Sequence, residues 1–282
     1  MKGVGILYHP QLPAAVALSG ELCAGLETMG RSPWQCSAWN EAEAKAHMPG
    51  TDLVISIGGD GTILRTARAV VPWPALILGV NLGRLGFLTE VSPQEIFTVL
   101  PDCLAGKGWI DERILLQAQL LPRGEEIPPP VPGPVTIYHA LNDVVVARGA
   151  APRVVSVHAS INGQPLTTYR ADGVIVATPT GSTGYSLSVG GPILHPQMRE
   201  ILLQPISSHL TLAAGLVLPP DTVVQLRVQT DHQAMMSVDG QVDIPLNNGE
   251  GVLVKRSPHT VRFWRRQPLS YFYSSLIQRL RT

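Results

Sequence analysis

A single carboxylate stands among glycines in Gly58-Gly59-Asp60-Gly61-Thr62, where the β-branched run Leu53–Ile57 gives way to helix-forming sequence. Glycine lets a backbone turn sharply and come close to a ligand. The free N–H groups at the start of the following helix, together with its dipole, favour a phosphate there. Asp60 would repel that phosphate unless it binds a metal ion or takes up a proton, and both are useful in phosphoryl transfer to an alcohol. The pentapeptide alone also fits a tight turn in which Asp60 caps the helix from Thr62. Other phosphate loops do not occur. There is no G-x-x-x-x-G-K-[S/T], Gly3-Val4-Gly5 has Tyr8 where a third dinucleotide-loop glycine would stand, and no G-x-S-x-G elbow is present.

A second segment runs Thr178-Pro179-Thr180-Gly181-Ser182-Thr183-Gly184-Tyr185-Ser186-Leu187-Ser188, directly after the strand-like Arg170–Ala177. It is dense in hydroxyls, small residues and glycine. Such a surface can approach a ribose or pyrophosphate closely and offer it many hydrogen bonds. By composition alone it is equally a polar loop.

The elements that must position these segments alternate over the first hundred residues. Val4–Tyr8, Leu53–Ile57 and Ala75–Val80 are apolar and strand-sized. Leu12–Met29, ending at Gly30, and Thr62–Val71, ending before Pro72, read as helices. Ser92-Pro93-Gln94-Glu95 predicts a capping box with Ser92 at N-cap, and Ile96, Val99, Leu100, Cys103 and Leu104 follow at helical spacing. This alternation argues for a mostly parallel sheet with helices on its faces, an α/β N-terminal domain over 1–108. From Ile114 the texture turns to strands: Ile114–Leu121, Val135–Ala147, Val154–Ile161, Val223–Gln229, Met235–Val238, Val252–Lys255 and Val261–Trp264. Asn162-Gly163 is a type I′ hairpin signal, and Pro122–Pro134 reads as a surface loop. A β-rich C-terminal domain is expected over 109–265. A helical tail, 266–282, is expected to return to the first domain.

Composition narrows the class. The chain has 282 residues, 45% of them hydrophobic and 15% charged, with zero formal net charge, so a large core is expected and a nucleic-acid partner is not. Three widely spaced cysteines, Cys23, Cys36 and Cys103, suggest buried reduced thiols rather than a disulfide framework or zinc site. His195 and His209 have no spaced partner, and no residue is assigned as a metal ligand. The N-terminus lacks the apolar core of a signal peptide, and no run reaches membrane-helix length, so a soluble cytoplasmic protein is expected, without a membrane partner.

In order along the chain, Gly58–Thr62, Asn81-Leu82-Gly83-Arg84-Leu85-Gly86-Phe87-Leu88-Thr89, Asn142-Asp143, Asp172-Gly173, Thr178–Gly191 and Asp239-Gly240-Gln241 resemble the motifs of the NAD kinase family. The first loop alone is shared with 6-phosphofructokinases and with diacylglycerol and sphingosine kinases; the ordered combination is specific. The resemblance implies ATP-dependent phosphorylation of the 2′-hydroxyl of NAD's adenosine ribose. It also implies Mg²⁺ or another divalent cation, a dinucleotide site between two domains, and a homodimer or homotetramer. By resemblance, Asp60 is the general base, with Gly61 beside it. Asn142 and Asp143 match the family's Asn-Glu pair, with the shorter acid here. Arg170 and Asp172 fall on the nicotinamide side. Thr183, Gly184, Tyr185, Ser186, Leu187 and Ser188 line the dinucleotide, Gly184 standing where Ala is common. Gln241, Arg153 and Asp239 are further contacts, and Phe87 packs on the adenine.

Blander roles remain open for several residues: Asn142, Asp143 and Asp239-Gly240 as turn residues, Arg153 as a surface charge, Tyr185 as core. Two other functions compete. A diacylglycerol-type lipid kinase shares the first loop. A non-catalytic dinucleotide sensor would keep Asn142 and Thr183–Ser188 but has no need of the acid at Asp60.

Overall fold

The computed structural model describes residues 1–83, 86–124, 136–149, 153–207 and 213–280, and its contacts divide the chain into two compact units. One unit is Met1–Arg113 with His259–Thr282; the other is Ile114–Pro258. The division falls after Arg113 and after Pro258, a few residues from the boundaries 108 and 265 expected from sequence. Much of the Pro122–Pro134 loop, Val135, His209 and Arg281 lie outside the described residues.

In the first unit, β1 (Val4–Tyr8), β2 (Trp34–Ser37), β3 (Leu53–Gly58) and β4 (Leu76–Asn81) run parallel in the order β2-β1-β3-β4. The residues of β1, β3 and β4 are nearly all buried and mostly apolar, as strands covered on both faces require. Helices α1 (Pro13–Thr28), α2 (Glu41–His47), α3 (Asp60–Val70) and α4 (Ile96–Leu104) intervene. Leu22, Leu26, Val99, Leu100 and Cys103 pack with Ile6, Ile55 and Leu78 in one core. β2 and α2 are not evident in the sequence, being four and seven residues long with little apolar pattern. The Ser92–Glu95 contact expected of a capping box forms, with Glu95 Oε2 accepting from Ser92 N at 3.0 Å. The α-helix nevertheless begins at Ile96, one turn later than Ser92 at N-cap implies. The tail helix α6 (Tyr271–Leu280) belongs to this unit.

The second unit is antiparallel. One sheet has the order β12-β11-β10-β7-β14-β15, from β7 (Asp143–Arg148), β10 (Gly173–Ala177), β11 (Ile201–Ile206), β12 (Leu216–Leu218), β14 (Ala234–Val238) and β15 (Val242–Leu246). Facing it are β8 (Val155–Ile161), β9 (Gln164–Ala171) and β13 (Val223–Gln229), together with β5 (Trp109–Leu121), β6 (Ile137–Ala140) and the first half of β16 (Gly251–Arg265). Val144, Val146, Val174 and Val176 of the first sheet pack with Val157, Leu226, Val252 and Val254 of the second. The two strands expected at Val252–Lys255 and Val261–Trp264 are one, β16. Its first half pairs β13, and its second half lies parallel to β4 through Arg262 and Phe263. Two expected strands are instead broken. Val135–Ala147 divides at Leu141-Asn142, and Arg170–Ala177 divides at Asp172. Both breaks fall at candidate site residues.

Candidate active site

β3 ends at Gly58, and α3 starts at Asp60 with Gly59 as N-cap, so the loop is shorter than Gly58–Thr62 and Asp60 occupies the first helical position. The Asp60 side chain does not cap its own helix. Its Oδ2 accepts the N–H of Phe87 at 2.8 Å and its Oδ1 that of Leu88 at 3.1 Å. A Cβ added at Gly86 would stand 2.2 Å from Asp60 Oδ1, so glycine there lets the segment close onto the carboxylate. Gly61 is exposed beside it.

The Gly86–Glu90 segment is held from behind. Arg279 of α6 donates to Phe87 O at 3.0 Å, and its guanidinium lies 5.5 Å from the centre of the Phe87 ring. Arg265, at the end of β16, donates to Leu88 O at 2.9 Å and pairs with Glu90 at 3.1 Å. Arg265 also meets Asp111 at 3.2 Å, and Asp111 meets Arg113 at 2.5 Å, all of them buried. Burial alone would raise the Asp111 carboxyl, but hydrogen bonds and charge from Arg113 and Arg265 outweigh it and hold it below the usual carboxylate range. Burial, and then the charge of Arg265, pull Arg279 below its ordinary value. Arg265 and Arg279 carry no local signal in the sequence, since each acts on chain segments more than 150 residues away.

In the second unit the break at Leu141-Asn142 is built by two side chains. Asp239, with φ 52°, and Gly240, with φ 62°, form the tight turn between β14 and β15. The Asp239 carboxylate reaches back and accepts the N–H groups of Leu141, Asn142 and Asp143 at 3.0, 2.8 and 3.1 Å. Thr178 fixes the same stretch from the other side, its hydroxyl donating to Leu141 O at 2.5 Å and its N–H to Asn142 O at 2.8 Å. A Cβ at Gly181 would stand 2.1 Å from Asn142 O, so the glycine permits this approach. Asp239-Gly240 is thus both a hairpin turn and the anchor of Asn142.

Asn142, Asp143 and Tyr185 line a cavity of about 460 Å³ with Val145, Arg148 and Met235. Asp143 is buried; burial, and then the neighbouring Asp239 charge, push its carboxyl up to about 7. Arg148 was not expected from sequence. It lines the cavity and pairs with Asp172 at 2.7 Å. The hydroxyls of the second segment are largely occupied in shaping it. Ser182 binds Pro179 O and Leu194 N, Thr183 binds Thr180 O, and Ser188 binds Tyr185 O. The buried Ser186 Oγ has no partner among the described residues. Gly184 faces Asn142, where an added Cβ would lie 3.6 Å from Nδ2. Leu187 is half-buried, and Gln241 closes the Asp239-Gly240 turn through its N–H to Val238 O. Arg170 and Arg153 lie elsewhere. Arg170 lines a second, open depression with Gln229 and Asp231, and the exposed Arg153 pairs with Asp231 at 3.4 Å.

Phe87 has its ring under Arg279 and its backbone on Asp60. Among the described residues no cluster of three His, Cys, Asp or Glu side chains could hold a metal by itself. Cys36 and Cys103 are buried free thiols, raised by burial to about 12. Among the described residues no helix is long and apolar enough to cross a membrane.

Comparison with known proteins bears on both units. Residues 15–108 match the family described as "ATP-NAD kinase N-terminal domain", and residues 141–266 match "ATP-NAD kinase C-terminal domain". The NAD kinase of Dehalococcoides mccartyi strain CBDB1 is 45% identical over 280 residues, covering 99% of this chain and 96% of its own. That of Chloroflexus aggregans is 40% identical over 281 residues, covering 100% and 99%. The crystal structure of yeast NADH kinase complexed with NADH superposes with a TM-score of 0.82 at 25% identity, covering 99% of this chain and 87% of that one. The NAD kinase of Archaeoglobus fulgidus in complex with ATP shares the fold, with a TM-score of 0.75 at 22% identity over 100% and 99% of the two chains.

Proposed function

The chain belongs to the NAD kinase family of phosphotransferases, and we propose that within it Asp60 is the general base that takes the proton of the acceptor's ribose 2′-hydroxyl. Its function is the phosphorylation of NAD to NADP with ATP as donor. The observation that carries the reading of Asp60 is its pair of hydrogen bonds from Phe87 and Leu88. They orient the carboxylate while using two of its roughly four acceptor positions, which leaves it able to accept a proton.

A ribose hydroxyl is barely ionised at neutral pH, so a positioned base contributes about 10²–10⁴ in rate. Alignment of donor and acceptor, and N–H groups at the start of α3 directed at the donor phosphates, supply further acceleration. Asn142 and Asp143, anchored by Asp239, are proposed to bind the dinucleotide in the cavity they line, with Tyr185 on its wall. Asp172, Thr183, Gly184, Ser186, Leu187, Ser188 and Gln241 complete the proposed set, with Arg153 and Arg170 at the second depression.

A divalent cation, Mg²⁺, is part of the proposal. A Mg²⁺ beside this loop would be carried mainly by donor phosphates and water, which leaves Asp60 to its role as base. When bound it would neutralise charge on the transferring phosphoryl group. A homo-oligomer is proposed on motif resemblance alone, and a cytoplasmic location on the N-terminal and hydropathy pattern of the sequence. The test is a coupled assay of NADP and NADPH formation with ATP or polyphosphate as donor and NAD or NADH as acceptor. Diacylglycerol, added as a competing acceptor, separates the lipid-kinase alternative, and loss of turnover in Asp60→Asn separates the sensor.

A further inference from the structure

Arg65 is a half-buried cation that forms no ion pair among the described residues. It lies on α3 one turn beyond Gly61, and its guanidinium carbon stands 4.4 Å from the centre of the Trp39 ring. Among the described residues no side chain pairs with it or accepts a hydrogen bond from it. Its neighbour Arg68 takes Glu41 at 3.2 Å, and Glu41 also takes Lys45 at 2.7 Å. Burial, and then the like charge of Arg68, draw Arg65 below its ordinary value; the more weakly felt Glu41 opposes them. A cation held in this setting is unfavourable to the free protein and is relieved by an incoming anion.

Its position is that of a ligand site. Tyr8 is in register with Ser37 on one side and Ile57 on the other. His9 N donates to Ile57 O at 3.0 Å, and Ala38 N to Tyr8 O at 2.9 Å. His9 and Trp39 therefore leave the carboxyl ends of β1 and β2 on the same sheet edge at which β3 ends in Gly58-Gly59. Their rings pack at 4.3 Å between centres. Open α/β sheets bind ligands outside these strand ends.

We propose that Arg65, seated on Trp39 beside His9, is a subsite for the phosphate chain of the phosphoryl donor, extending the Gly58–Thr62 loop along α3. The proposal rests on the kinase reading and deepens its donor side. The recognised chemistry is a chain of phosphate groups, from ATP or from inorganic polyphosphate. The guanidinium fork matches phosphate oxygens, and the ring of Trp39 holds the fork in place.

Arg65→Gln and Arg65→Lys are compared with the unaltered full-length enzyme in the NADP-forming assay, varying ATP and NAD in turn, with inorganic tripolyphosphate as a competitor of ATP. Gln is expected to raise the KM for ATP and the inhibition constant of tripolyphosphate by a common factor, roughly 10-fold. The KM for NAD and the melting temperature stay as they were, and Lys recovers part of the loss. An unchanged KM for ATP in Arg65→Gln overturns the proposal. So does a rise for ATP without one for tripolyphosphate, or failure of tripolyphosphate to compete in the unaltered enzyme. Equal rises in both substrate constants with a lowered melting temperature also overturn it, placing Arg65 in the fold. If the unaltered enzyme forms no NADP, the kinase reading fails instead, and calorimetric binding of tripolyphosphate to the same three proteins then decides Arg65 by itself.

Discussion

The carboxylate of Asp60 accepts the backbone N–H of Phe87 at 2.8 Å, tying the first residue of α3 to the segment that follows β4. The carbonyl of Phe87 is taken by Arg279, and that of Leu88 by Arg265. The proposed base is therefore held by backbone donors that are themselves held by two arginines. Orientation by fixed dipoles of this kind needs no rearrangement at the moment of reaction.

Asp60→Asn replaces one acceptor oxygen with an NH₂ group, which cannot accept the second N–H. A stability loss of about 1–2 kcal/mol is expected from that mismatch. Turnover should fall by about 10²–10⁴ while NAD still binds. Denaturant titration, calorimetry with NAD and steady-state rates read the three effects separately.

Gly86→Ala tests the closeness of the segment to the acid. Its Cβ would stand 2.2 Å from Asp60 Oδ1, so the carboxylate must move. A misplacement near 1 Å is expected to cost about 10² in kcat. The far-UV circular dichroism should be unchanged. A kcat equal to that of the unaltered enzyme would show that the contact between Gly86 and Asp60 has no bearing on turnover.

Asp239→Ala removes the acceptor of three N–H groups, on Leu141, Asn142 and Asp143. A loss of about 2–4 kcal/mol is expected by urea titration, with a raised KM for NAD as Asn142 loses its anchor. Asp239→Asn, which keeps one acceptor oxygen, should fall between. A KM for NAD unmoved in both variants would detach Asn142 from dinucleotide binding.

Asp143 gives the second unit a pH signature. Its carboxyl titrates at about 7 in the fold against an ordinary 3.8, so between those values the folded chain holds a proton that the unfolded chain has released. This contribution is fully present below about pH 3.8 and is lost as pH rises towards 7, with a slope of at most about 1.4 kcal/mol per unit. Asp143→Asn should flatten that slope in denaturant midpoints measured from pH 5 to 8. Identical slopes in the two proteins would refute the raised carboxyl.

Several of these features were legible in the residues, and others were not, for identifiable reasons. The strand ending at Gly58, the Asn162-Gly163 turn and the tail helix follow from local pattern. Asp239-Gly240 was legible as a turn, but its carboxylate acts on Asn142, 97 residues away, which no local pattern encodes. Likewise Asp60 was legible as an acid in a glycine loop, while its attachment to Phe87 depends on how β4 returns beside β3. The strand-like runs Val135–Ala147 and Arg170–Ala177 do not show where they break; at Leu141-Asn142 the break is held by the Asp239 carboxylate, which lies far away in the sequence. Arg148 and Arg265 have charges that look like surface charges until the fold supplies Asp172, Glu90 and Asp111.

The most direct test of the central claim is NADP formation from NAD and ATP in the presence of Mg²⁺, measured side by side for the unaltered chain and Asp60→Asn. Steady NADP production by the first and its near-complete loss in a folded, NAD-binding second is the expected result. Equal rates in the two proteins would contradict the assignment of Asp60 as the base.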